Sequence, residues 1–260
     1  IMNDKCYYQI EKENVAVVYF NNPPINALDT ETMESFEEIM RILITDDKVH
    51  VIVLTGKGST FIVGADVNEV AKVNTFDKGV EITTKAQAIV SLCELSPKPV
   101  IAMINGLCLG GGMEIALSCH IRIASNTAQM GLPEIMLGII PAFGGTQRSP
   151  RLLGKAKALE FMLTGMFINM QEALQIGLVN RVYAPDELIE ESLKFASSIA
   201  KKGQIAVRSI VEAVMKGSSM NLEDGLRLES TLFGRLAESH DKKEGIDAFL
   251  NKRKPIFKHC

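Results

Sequence analysis

Two stretches, Val51-Ile52-Val53-Leu54 and Val100-Ile101-Ala102-Met103-Ile104, are apolar at every position. A strand with one wet face alternates apolar and polar residues. A continuous apolar run needs cover on both faces, and parallel strands sandwiched by helices provide it. Each run is followed by a glycine turn that opens a helix-like segment, Gly64-Ala65-Asp66 after the first and Gly110-Gly111-Gly112 after the second. A third strand is predicted over 121–124. This recurrence of strand, glycine turn and helix argues for an α/β core.

The flanking segments extend the pattern. Residues 8–11 and 15–20 have strand composition around Glu13-Asn14, which suggests a hairpin. Asp29 or Thr30 can cap a helix whose inner face carries Met33, Phe36, Met40 and Leu43. A longer helix is predicted over 76–95 and a final short strand over 178–182. Pro133-Glu134 reads as the start of a helical turn, with proline first and an acid beside it. From Gly144 onward helices dominate, and four are expected between 185 and 251. The domain expectation is therefore an α/β core over 1–190 holding the active site, followed by a helical C-terminal region over 191–260.

Composition excludes several classes. Of 260 residues, 47% are hydrophobic and 23% charged, which fits a folded chain able to bury a core without disulfides or metals. The net charge of −3 gives no general affinity for polyanions. The 15-residue uncharged run Pro99–Met113 contains four glycines and is too short to span a bilayer. The five cysteines include no C-x-x-C pair, and Cys93, Cys108 and Cys119 sit among apolar residues and read as reduced core thiols, so a soluble, reducing compartment, most simply the cytoplasm, is expected. No P-loop, dinucleotide fingerprint, nucleophile elbow or zinc motif is present. His50 and His120 are the histidines best placed for a nucleophilic triad, and neither has an evident partner serine or cysteine. These absences leave carboxylates and backbone dipoles to carry chemistry.

Glu114 and Glu134 are lone acids in apolar surroundings, Met113-Glu114-Ile115-Ala116-Leu117 and Leu132-Pro133-Glu134-Ile135-Met136. Burial would raise their pKa toward neutrality, where two carboxyl groups facing one cavity can exchange protons with a substrate. The same acids in the first turn of a helix also complement its dipole, so the pattern alone leaves both readings open. The glycine turns have a parallel logic. Helix starts at Ala65 and Gly111 leave free N–H groups that could converge on one oxygen, or the turns are merely tight.

Several segments resemble the enoyl-CoA hydratase (crotonase) family. They are Phe61-Ile62-Val63-Gly64-Ala65-Asp66-Val67, the run Ile104–Glu114 with its three glycines, and Gly131–Pro141 around Pro133-Glu134. Gly144-Gly145-Thr146-Gln147-Arg148 and the closing segment Glu244–Arg253 join them, in family order and spacing over essentially the whole chain.

The resemblance implies a spiral of ββα repeats with a helical C-terminal trimerisation region, as a homotrimer or a dimer of trimers. It implies acyl thioesters of coenzyme A as substrates, with no metal and no further cofactor. The N–H groups of Ala65 and Gly111 would form the oxyanion hole. Glu114 and Glu134 match the two acids of hydratases that add water across an enoyl-CoA double bond, whereas isomerases of the family often keep one acid. By the same match, Ile25, Gly64, Asp66, Gly110, Pro141 and Ala142 would line the substrate. Phe249 and Lys252 would reach the adenine end of coenzyme A in a neighbouring subunit.

Three departures accompany the match. Ala142 stands where hydratases usually carry glycine, Asn22-Pro23-Pro24-Ile25 stands where many members place a basic residue, and His120 replaces a frequent aspartate and reads as structural. Asp66 also reads as a helix cap. Some relatives bind RNA through a basic first helix. Here residues 29–47 carry seven acids against Arg41, so no nucleic acid partner is expected. The small total charge hides an asymmetry. Residues 201–260 hold 12 Lys/Arg against 8 Asp/Glu, which suits a phosphorylated ligand of coenzyme A size.

Overall fold

The computed structural model describes residues 5–259. Strand β1 (Cys6–Glu11) and strand β2 (Val15–Phe20) form the expected antiparallel hairpin. Helix α1 (Thr30–Thr45) follows, capped by the Asp29 carboxylate accepting from the Thr32 N–H at 2.8 Å. Its buried face carries Met33, Phe36, Met40 and Leu43, as the spacing predicted.

Three ββα repeats come next. The first is β3 (Val51–Gly56), β4 (Ile62–Val63) and helices α2 (Val67–Val70) and α3 (Phe76–Glu94). The second is β5 (Val100–Ile104), β6 (Leu107–Leu109) and α4 (Gly111–Ser118). The third is β7 (Ile121–Ser125), β8 (Gln129–Gly131), a 3₁₀ turn (Pro133–Leu137) and α5 (Gly145–Leu153). Each repeat places its first strand in one sheet and its second in another. The large sheet has the order β1-β2-β3-β5-β7-β10, with β10 at Arg181–Tyr183, and is parallel from β2 onward. The small sheet runs β4-β6-β8-β9, with β9 (Phe167–Asn169) antiparallel at its edge. This is the expected spiral.

The apolar runs are buried on both faces. Ala16, Val18, Ile52, Leu54, Ala102 and Ile104 pack with α1, α3 and α4. Their neighbours Val15, Val17, Val51, Val53, Ile101 and Met103 face α8 (Leu188–Ala200) through Leu188, Ala196 and Ala200. The period-two alternation survives in direction, but no face needs polar residues because helices cover both.

Two local expectations are corrected. The last strand begins at Arg181 rather than 178, because the N–H groups of Leu178 and Val179 both bond the Ala173 carbonyl and close α7 (Met170–Gln175). The helix expected from 185 begins at Leu188. After α6 (Lys155–Thr164) and α7, the C-terminal part is helical as expected, with α9 (Gln204–Gly217), α10 (Leu222–Leu236) and α11 (His240–Leu250). Cys6, Cys93, Cys108 and Cys119 are free and buried, and Cys260 lies outside the described residues. Among the described residues, no helix is long and apolar enough to cross a membrane.

Candidate active site

The small sheet ends in two adjacent turns. At the end of β4, the Gly64 N–H bonds the Leu109 carbonyl at 2.9 Å. At the end of β6, the Gly110 N–H bonds the Gly131 carbonyl, also at 2.9 Å. Gly110 has φ +53° and ψ −126°, a conformation open to glycine and closed to residues with a side chain. A β-carbon there would lie 3.4 Å from the Gly64 Cα, so the two turns abut.

Both turns present a free donor. Leu28 bridges to Ala65 through the Gly64 carbonyl and the Asp66 N–H, which leaves the Ala65 N–H unused. Gly111 is the first residue of α4 and has no carbonyl a turn behind it within the helix. Among the described residues, neither N–H has a protein acceptor. Two unpaired backbone donors at adjoining turns have the character of an oxyanion hole.

Glu114 sits one helical turn beyond Gly110 and is 2% exposed. Its Oε1 accepts from the Phe143 N–H at 2.8 Å and the Gly145 N–H at 2.6 Å. Burial raises its carboxyl from the ordinary 4.5 to about 7, and the charge of Glu134 adds to the rise. The two amides and the Arg148 guanidinium act in the opposite direction.

Glu134 lies on the 3₁₀ turn after β8, with Oε1 at 2.9 Å from the position of a β-carbon on Gly110. Burial raises its pKa as well, against a hydrogen bond from its own N–H. Its Oε2 is buried and receives no hydrogen bond from the described residues. Two carboxyl groups from different elements are therefore both pushed toward neutrality, Glu134 against Gly110 and Glu114 against the Phe143 turn that borders Gly111.

The other candidates divide. Pro141 is buried beside Gly145, whose β-carbon position lies 2.9 Å from the Pro141 Cβ. The Ala142 carbonyl accepts from Gln87 Nε2 at 2.8 Å, so the departure from glycine leaves this turn tied to α3. Ile25 neighbours β4, its carbonyl accepting from the Val63 N–H at 3.2 Å. Asp66 caps α2, accepting from the Asn68 and Glu69 N–H groups. Phe249 is 83% exposed on α11, and Lys252 follows that helix. Among the described residues, no hydrogen bond links either to the two glutamates. His120 is structural, its Nδ1 accepting from the Val100 N–H at 2.9 Å, and His50 Nδ1 lies 3.1 Å from the Ala200 carbonyl. Neither imidazole hydrogen-bonds the glutamate pair.

Sequence reasoning missed the turn over 143–145 that holds Glu114. The paired glycines 144 and 145 were its one visible mark.

A family model described as enoyl-CoA hydratase/isomerase matches residues 10–259. Crotonyl-CoA hydratase of Syntrophomonas wolfei is 40% identical over 249 residues, covering 95% of each chain. Short-chain-enoyl-CoA hydratase of Clostridium acetobutylicum is 40% identical over 248 residues, covering 94% of this chain and 95% of that one. The crystal structure of an enoyl-CoA hydratase from Bacillus anthracis superposes with a TM-score of 0.94 at 36% identity, covering 98% of this chain and 100% of that one. By fold, by the order of its repeats and by sequence along its length, the chain belongs to the enoyl-CoA hydratase/isomerase family.

Proposed function

We propose that the protein is an enoyl-CoA hydratase acting on short-chain 2-enoyl-CoA thioesters, by a mechanism with two glutamates and a backbone oxyanion hole. The observation that carries this reading is two buried carboxyls beside the turns with the free Ala65 and Gly111 N–H groups, Glu134 against Gly110 and Glu114 one turn further along α4. The names of the crotonyl-CoA and short-chain relatives support the substrate class.

Water adds in one sense across the double bond. Glu114, as carboxylate, takes a proton from water while the oxygen bonds C3. Electron density moves through C2 to the thioester oxygen, where the Ala65 and Gly111 N–H groups stabilise the developing enolate. Glu134 delivers its proton to C2, giving the 3-hydroxyacyl thioester, and the reverse sequence eliminates water. Removing one oxyanion donor typically costs about 2.7–4 kcal/mol in the transition state.

The role split follows hydrogen bonding. Two N–H donors on Glu114 Oε1 favour its ionised form, whereas the undonated Oε2 of Glu134 gives a proton a place without competing donors. The charge of Glu134 also raises the Glu114 carboxyl, so hydrogen bonding rather than the size of either shift assigns the roles. Retention of two acids favours hydration over isomerisation.

Gly64 and Gly110 give the thioester close backbone approach. Ile25, Pro141 and Ala142 line the acyl and pantetheine path, with Asp66 fixing the helix beside it. Phe249 and Lys252 hold the adenine end across a subunit boundary. The assembly is a homotrimer or a dimer of trimers joined through the C-terminal helices. Phe233 on α10, 71% exposed in the single chain, supports burial of that face in an assembly.

The test is product identity. Crotonyl-CoA incubated with the protein in ¹⁸O-labelled water is expected to give 3-hydroxybutyryl-CoA carrying the label at C3. Recovery of unlabelled substrate, or of a shifted double bond only, would reject the hydratase reading.

A further inference from the structure

Arg148, on α5, has its side chain largely buried against α3. Its Nε and Nη2 donate to Glu94 Oε2 at 3.0 and 2.7 Å, and Nη2 also donates to Ser91 Oγ at 3.1 Å. Its Nη1 donates to the Phe143 carbonyl at 3.1 Å. The N–H of the same Phe143 donates to Glu114 Oε1. Phe143 is thus held at both ends, by a carboxylate on one side and a guanidinium on the other. Gly144 completes the turn with φ +116°, and a β-carbon there would lie 2.1 Å from Arg148 Nη1. The guanidinium therefore occupies the space a side chain at 144 would need, and Gly145 follows with the second amide on Glu114.

We propose that Arg148, anchored by Glu94 and Ser91, is a positioning residue that holds the 143–145 turn, and the two amides it presents, against Glu114. The inference rests on Glu114 serving as the base of the proposed hydration. It differs from the oxyanion and acid–base roles because Arg148 acts only through the turn and through its field.

The charges that act most strongly on Glu114 are Glu134 on the 3₁₀ turn and Arg148 on α5, the latter paired with Glu94 on α3. Helix α4 carries no other charged residue, and β4 and β6 carry none. Arg148 favours the ionised form of Glu114, in opposition to burial and Glu134. Removing the arginine and removing its counter-ion should therefore act on Glu114 in opposite directions. A role limited to holding the fold together would not give opposite signs.

The test uses Arg148→Met and Glu94→Gln in the full chain, each checked for folding by circular dichroism. The Glu114 titration is read by carboxyl ¹³C NMR on glutamate-labelled protein, with the resonance assigned by its loss in Glu114→Gln. That readout does not require hydratase activity, so it separates failure of this inference from failure of the proposed reaction. The midpoint is expected to rise by about half a unit or more in Arg148→Met and to fall in Glu94→Gln. In the crotonyl-CoA assay, kcat of Arg148→Met is expected to drop about 10- to 100-fold with KM nearly unchanged. Unchanged midpoints, or shifts of the same sign in both folded variants, would overturn the proposal. If Arg148→Met does not fold, Glu94→Gln alone decides it, and an unmoved or raised midpoint there is contradictory.

Discussion

Gly110 and Glu134 are in contact across the small sheet: a β-carbon on Gly110 would stand 2.9 Å from the Oε1 of Glu134. The glycine that precedes α4 and the acid of the next repeat thus claim the same space, and a methyl group there must displace the carboxyl. Gly110 also sits at φ +53°, so a side chain adds backbone strain of about 1–3 kcal/mol. We expect Gly110→Ala to lose crotonyl-CoA hydration about 100-fold or more. Gly58→Ala is the control, since Gly58 has φ +82° and open space around its β-carbon position. It should show comparable strain in thermal unfolding while keeping activity. Equal activity in the two variants would show that the contact does not matter.

Glu114 gives a stability expectation with a defined sign. Its folded pKa of about 7 lies above the ordinary 4.5. Between those values the folded chain holds a proton that the unfolded chain releases, so this group's contribution to stability falls as pH rises through the window. Glu114→Gln keeps an oxygen for the Phe143 and Gly145 N–H groups and removes the charge. It should be more stable than the native chain above pH 7, by up to about 2–3 kcal/mol, and equal to it near pH 4. Thermal unfolding at pH 4 and pH 8 checks this. A variant less stable at pH 8 would mean that Glu114 is ionised at no cost.

Phe249 and Lys252 are proposed to act at the far end of the substrate. Phe249→Ala and Lys252→Ala should raise KM for crotonyl-CoA while leaving kcat/KM for crotonyl-N-acetylcysteamine unchanged, because that thioester lacks the nucleotide. Equal losses on both thioesters would place these residues' effect elsewhere.

The exposed apolar face of α9 and α10 carries Ile210, Val214, Leu226 and Phe233. Sedimentation should give the mass of three or six chains, and Phe233→Glu should shift it toward the monomer. A native monomer at micromolar concentration would refute the proposed assembly.

The parts legible in the sequence are those where one element carries its own pattern. The inner face of α1 follows helical spacing, and β3 and β5 are long enough for continuous burial to stand out. Glu114 and Glu134 were visible because an acid inside an apolar segment is conspicuous. The small sheet was not visible from periodicity, since Ile62–Val63 and Leu107–Leu109 are too short to establish a period of two. They pair only because β3 and β5 deliver them to the same edge. The 143–145 turn was hidden for a related reason, as its amides serve a carboxylate 29 and 31 positions away. No local pattern encodes such a contact, and Arg148 behind it looks like an ordinary helix residue.

The pairing of Glu114 with Glu134 is tested most directly by the disappearance of the conjugated-enoyl absorbance of crotonyl-CoA. It is followed with the native protein, Glu114→Gln and Glu134→Gln at equal concentration and neutral pH. We expect rapid loss with the native protein and rates lower by about 10²- to 10⁴-fold in each variant, with folding intact. Hydration at the native rate by either variant would contradict the two-glutamate mechanism.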